Sequence, residues 1–242
     1  NENTETINNA NKLINSSIKY AASADIRLKS LLRYDLNIAS GIINTIKERH
    51  IQHFFIGIHE KASILDSFFG NLTSDLLKKS DSSIYISKLF QPINTIKKYI
   101  LVLPPNTHLE SGFIDWFMRI MQISMNTGSK FVVYTNNETH IFLQTNLRTT
   151  FKISVDYVFK LLLDFKDLQQ IADDVADNSM IIFNLARKNS VSHDNSMDRI
   201  GNLINKYFNH VNFILVYTNN FESSKRDGNT FANVPLKGML IN

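Results

Sequence analysis

Short apolar runs of strand character alternate along this chain with stretches whose apolar residues recur every three or four positions. That alternation constrains the fold more than any other feature. Residues 54–58, 84–89, 99–103, 131–134, 151–159, 180–185 and 211–217 read as strands, and 26–34, with Ile26, Leu28 and Leu31, as one more. Residues 35–49, 72–79, 109–125, 138–147, 165–176 and 198–208 have helical spacing between them. An amphipathic helix over 4–22, with Ile7, Ala10, Leu13, Ile14, Ile18 and Ala21 on its apolar face, opens the chain. Asp35 stands where the 35–49 helix needs its N-cap. Strands and helices in strict turn are the mark of parallel βαβ units. The expectation is an α/β fold of open parallel sheets with helices on both faces.

Composition narrows the function classes. The 242 residues are 43% hydrophobic, enough for one large or two small domains. There is no cysteine, which excludes disulfides and thiolate metal sites and fits a reducing compartment. The net charge of +4 comes from dispersed pairs such as Lys78-Lys79 and Lys97-Lys98, so neither a basic tail nor nucleic-acid binding is expected. No apolar run reaches the ~18 residues of a membrane span; residues 113–123 are interrupted by Asp115 and Arg119. The chain is expected to be soluble and, beginning at Asn1 without a methionine, to be a piece of something longer.

The chain reads as two related halves: 1–95, 96–218, and an irregular tail over 219–242. Asp35 and the Phe54-Phe-Ile-Gly57 run can be laid on Asp164 and the Ile181-Ile-Phe-Asn184 run, and Gly70-Asn71-Leu72 on Gly201-Asn202-Leu203. The second half holds five strands, expected in the order 3-2-1-4-5. The first shows three and lacks the opening strand, helix and second strand of its counterpart.

Gly57 closes an apolar strand and Gly70-Asn71 opens a helix, the arrangement that lets backbone N–H groups approach a phosphate. Gly57, Gly70, Asn71 and Thr73 are therefore candidates for nucleotide binding. The bland alternative is an inherited turn. Arg187, Lys188, Ser190 and Ser192, ahead of the last helix, are candidates for binding an anion; the alternative is a polar loop paired with Asp194 and Asp198. His50, His53 and His59 do not share ligand spacing, so no metal is expected. Asp173-Asp174 reads as a solvated acidic face. Trp116, with Phe113, Phe117 and Met121 at helical spacing, reads as core. No nucleophile stands with a base, so no catalytic residue is assigned.

The stretch Phe54-Phe-Ile-Gly57-Ile-His-Glu60, nine residues, Gly70-Asn71 resembles the universal stress proteins. Nucleotide-binding members of that family carry Gly, two residues, Gly, nine residues, Gly, then Ser or Thr. This chain departs from the pattern at Glu60 and Asn71, and has Pro104-Pro105 where the family has an acidic residue. The runs Asp35-Leu-Asn-Ile-Ala-Ser-Gly41-Ile, Asp66-Ser-Phe-Phe-Gly70, Gly112-Phe113…Trp116 and Arg187-Lys-Asn-Ser-Val-Ser192-His look like the cytoplasmic C-terminal region of bacterial sodium/proton antiporters. The resemblance implies tandem universal-stress-protein-like domains, Rossmann-like and related to the adenine nucleotide alpha hydrolases, with the first copy incomplete at its N-terminus. It implies a non-catalytic regulatory role on the cytoplasmic face of the inner membrane, with the antiporter domain of the same polypeptide and a second copy as partners. ATP or another adenine nucleotide is the cofactor it suggests. A free-standing stress protein that binds ATP is the alternative.

Overall fold

Strands form on the short apolar stretches: β1 (His53–Gly57), β2 (Ser83–Lys88), β3 (Lys98–Val102), β4 (Lys130–Thr135), β5 (Val158–Leu161), β6 (Ser179–Leu185) and β7 (Asn212–Tyr217). The structure is a computed structural model and describes residues 2–23, 25–58, 71–151 and 156–219. The helices are α1 (Glu2–Ser23), α2 (Ile38–Arg49), α3 (Asn71–Lys79), α4 (Phe113–Thr127), α5 (Asn137–Thr149) and α6 (Ile200–Tyr207). The chain divides into two units, residues 1–44 and 45–242. The second unit holds the sheet.

One seven-stranded sheet replaces the two that the sequence suggests, in the order β1-β2-β7-β6-β3-β4-β5. Every pairing is parallel except β2 with β7. Within it β5-β4-β3-β6-β7 is the expected 3-2-1-4-5 order. β6 and β7 lie mid-sheet and are buried along their whole length, which is why they read as unbroken apolar runs. The flanking β1 and β5 are shorter and partly exposed. The antiparallel junction pairs Ile86 with Leu215 at its centre. Gly57 pairs with Ser87 and Asn184 with Val216, so laying Gly57 on Asn184 makes those same two residues, Ile86 and Leu215, equivalent.

Successive side chains alternate between the faces. Tyr99 and Leu101 of β3, Val133 of β4 and Ile182 of β6 join one core with Trp116 and Phe117 of α4 and Leu143 of α5. On β6, Phe183 packs against Phe208 beyond α6, ring centroids 6.0 Å apart, and the Ala186 N–H meets the Met197 sulfur at 3.4 Å. α4 begins after Gly112, where Asn219 comes so close that a Cβ would sit 2.5 Å from its Oδ1 and 3.0 Å from its backbone nitrogen. A larger residue at 112 would have to push Asn219 aside.

Four expectations need correction. Residues 26–34 form no strand: they are irregular, and all but Arg33 are exposed. Without a neighbouring strand, alternation alone cannot hold an extended segment in a ladder. The first half therefore contributes two strands, not three. The cap near residue 35 is Asn37, whose Oδ1 accepts the Ser40 N–H at 2.8 Å. Residues 165–176 form a 3-10 run, Phe165–Asp174, broken at Asp167, and residues 195–199 form another ahead of α6. β5 begins at Val158, whereas the expected strand began at 151; residues 152–155 lie outside the described set.

Candidate functional site

The crevice of an open parallel sheet lies where the strand order reverses, here at the carboxyl ends of β3 and β6. Three loops meet there: Pro104, Pro105 and Asn106 after β3, Leu163, Asp164 and Phe165 after β5, and Val191, Ser192, His193 and Asp194 after β6. They line a cleft of about 190 Å³, smaller than the roughly 300–1,000 Å³ of pockets for drug-sized ligands. Beneath it the buried Thr107 hydroxyl donates to Asn184 Oδ1, and Asn184 Nδ2 donates to the Val216 carbonyl at 3.4 Å. Asn106 takes the left-handed conformation, φ 63°, to turn the chain after the two prolines.

The protein's own carboxylates engage the loop donors. Glu110 Oε1 accepts from both the Ser192 N–H at 2.8 Å and the Ser192 hydroxyl at 2.6 Å. Asp164 accepts the Lys166 N–H at 2.8 Å and Asp194 the Ser196 N–H at 2.7 Å, each capping a 3-10 turn. The Ser196 hydroxyl and N–H bonds hold the Asp194 carboxyl below its ordinary range. Lys188 lies 3.6 Å and His193 3.9 Å from Asp198. A phosphate entering this cleft would meet fixed negative charge.

Arg187, in the same loop, turns inward. The residue is 5% exposed, and its guanidinium donates to four backbone carbonyls: Thr218 at 3.0 Å, Ser80 at 2.7 Å, Ser82 at 2.6 Å, and Leu77. Leu77 is in the last turn of α3 and Ser80 follows it, so the cation satisfies carbonyls at the negative end of that helix. Burial lowers the Arg187 pKa, and Asp81 opposes that shift. One side chain thus joins the cleft loop to the end of β7 and to the α3–β2 connection.

Of the other sequence candidates, Ser190 donates to the Arg187 carbonyl at 2.8 Å and Lys188 projects outward. Gly57 ends β1 in an exposed position where a Cβ would meet nothing within 4 Å. Asn71 starts α3 and Thr73 is buried in its first turn. Gly70, His59 and Glu60 lie outside the described residues. Asp174 departs from a solvated face: its carboxylate meets Lys160 at 2.7 Å and accepts from Tyr134 at 2.5 Å. Trp116 is fully buried.

Sequence reasoning missed Glu110, and it missed a polar cluster between β1, β2 and α4. There His53 Nδ1 is 3.3 Å from the Tyr85 hydroxyl and its Nε2 is 3.0 Å from Asp115, which also meets Arg119 at 3.3 Å. The Nε2 contact has the distance of an ion pair without hydrogen-bond alignment. Burial pushes the Asp115 pKa up, but His53 and Arg119 outweigh it and leave the carboxyl below its ordinary value. A depressed carboxylate stabilises the fold above its unfolded pKa and loses that contribution as pH falls through the folded one. Urea unfolding from pH 6 down to pH 2 is therefore expected to show wild-type stability falling more steeply through the acid range than that of Asp115→Asn, the difference appearing as the carboxylate becomes protonated.

No protein family of known sequence pattern matches the chain, and no curated protein is similar to it. Among solved structures it is similar to a universal stress protein from Archaeoglobus fulgidus, with a TM-score of 0.59 at 12% identity over 90% of this chain and 80% of that one. The fold is that of a universal stress protein. It is also similar to a functionally unknown protein from Pseudomonas aeruginosa, with a TM-score of 0.55 at 9% identity over 86% of this chain and 78% of that one. The cytoplasmic domain of a prokaryotic cation chloride cotransporter is more distant, with a TM-score of 0.49 at 12% identity over 76% of this chain and 72% of that one. Among the described residues, no helix is long and apolar enough to cross a membrane.

Proposed function

We propose that this chain is the cytoplasmic regulatory domain of a bacterial sodium/proton antiporter, built from two stress-protein-like copies joined at β2 and β7 and performing no catalysis. The observation that carries the regulatory reading is the Arg187 clamp. A regulatory domain needs two states and a physical link between the place where a signal arrives and the surface that reports it. Loop 186–194 forms one wall of the cleft, and through Arg187 it holds carbonyls at the far side of the antiparallel junction. A ligand that displaces this loop also disturbs the α3–β2 connection. The pairing of Ile86 with Leu215 about the junction supports two copies related by a local two-fold axis. The antiporter assignment rests on the sequence resemblance around Asp35, Gly112 and Arg187.

The cleft suits a ligand smaller than a nucleotide, because of its volume and of the carboxylates that engage its donors. The alternative is a free-standing stress protein that binds ATP through Gly57, Gly70, Asn71 and Thr73. Calorimetric titration of residues 1–242 with ATP, ADP and AMP separates the two. The regulatory reading expects no saturable heat at millimolar nucleotide. Micromolar binding to one site, lost in Gly70→Val, would establish the alternative.

A further inference from the structure

The first unit exposes large apolar side chains that its own fold leaves uncovered. Among the described side chains of α1 none is buried, and Leu13 and Tyr20 are 70% and 77% exposed. Seven residues apart, these two share one face of the helix. Lys12 and Lys19 stand immediately beside them, both exposed. The irregular segment that follows continues the pattern, with Ile26, Leu28, Leu31, Leu32, Tyr34 and Leu36 all exposed. These eight large apolar side chains, exposed between residues 13 and 36, are more than scattered surface residues and mark an interaction segment.

The charges beside these residues indicate what covers them. From Lys12 to Leu36 the chain carries five cations (Lys12, Lys19, Arg27, Lys29 and Arg33) and two acids, Asp25 and Asp35. That excess of three is most of the chain's net charge of +4. Arg33 is held by Asp35, while Arg27 and Lys29 are exposed and alternate in sequence with the exposed Ile26 and Leu28. Apolar residues that insert at the headgroup boundary, interleaved with cations that meet acidic headgroups, are what binding at an anionic membrane surface requires. We infer that residues 12–36 dock on the surface of an anionic lipid bilayer, without spanning it. The inference does not depend on which transporter, if any, the chain belongs to.

Sedimentation of the full chain with vesicles tests this. One set contains phosphatidylglycerol and phosphatidylethanolamine, the other phosphatidylcholine alone. The expected result is association with the first set only, weakening as salt is raised. Each cation removed weakens it about fivefold, so Arg27→Gln/Lys29→Gln is the informative variant. Leu31→Ser/Leu32→Ser is expected to abolish association, and its unchanged far-UV circular dichroism separates lost docking from unfolding. Equal association with both vesicle sets, or none with either, overturns the inference. A salt-insensitive dimer by light scattering that ignores vesicles also overturns it and assigns the face to a second copy.

Discussion

Replacing Arg187 by alanine is expected to lower the stability of the sheet-bearing unit by about 3–5 kcal/mol, because a buried cation bonded to four carbonyls disappears. The carbonyls of Leu77, Ser80, Ser82 and Thr218 lose these donors inside the protein, where an unmet acceptor costs more than the bond itself contributed. For a unit of this size the melting temperature falls by about 10 °C. Arg187→Lys keeps the charge but loses the planar fork, and an ammonium has three donors for four carbonyls. It is expected to recover about half of the loss. Urea unfolding of the three proteins checks the ordering. If alanine were as stable as arginine, the clamp would be incidental and the link between cleft and junction would fail with it.

The second large effect is expected at Trp116. Its indole is fully buried, edge-to-face with Phe113 at 5.6 Å and with Phe117 at 6.0 Å, in the core that α4 shares with the sheet. Trp116→Ala leaves a cavity that the surrounding β3, β4 and β6 side chains cannot close, at a cost of about 3–5 kcal/mol. Trp116→Phe keeps a ring in place and is expected to cost about 1–2 kcal/mol. Thermal unfolding followed by circular dichroism measures both. This is the only tryptophan in the chain, so wild-type emission reports directly on the core and shifts to the red only when α4 leaves the sheet. Near-wild-type stability in Trp116→Ala would mean that α4 is a docking face and not part of the core.

The sheet was legible because its central strands are buried on both faces. Tyr99-Ile-Leu-Val102, Met180-Ile-Ile-Phe183 and Phe213-Ile-Leu-Val216 admit no polar residue, and an unbroken apolar run of that length between helical patterns reads as a parallel strand. The same reasoning failed at Ile26-Arg-Leu-Lys29. There apolar and basic residues alternate as they would in a half-buried strand, yet the segment finds no ladder partner. Period two is a statement about faces, and a membrane-facing or solvent-facing segment satisfies it as well as a strand does. Caps were read to within two residues, Asn37 replacing Asp35, because both side chains can accept an amide hydrogen.

The site was legible only as a location. The loop after β6 stood out through Arg187, Lys188, Ser190 and Ser192, and the structure does bring that loop to the crevice. Which way each side chain turns was not readable. Arg187 finds three of its four carbonyls more than a hundred residues away in sequence, and Ser192 finds Glu110 eighty-two residues away. Glu110 carried no local signal at all, since a single carboxylate between a short turn and a helix is ordinary. His53 and Asp115 were seen separately, one as a member of a histidine trio without ligand spacing and one as a break in an apolar helix. Their meeting depends on α4 crossing toward β1, which no spacing within either segment encodes.

The most direct test of the regulatory reading is sodium/proton exchange in everted membrane vesicles. The vesicles come from cells expressing the whole gene that encodes residues 1–242, with and without those codons. The account predicts exchange in both, with a rate or pH threshold that shifts when the domain is removed. Exchange that is unchanged by the deletion, or a gene product that exchanges no ions, would contradict it.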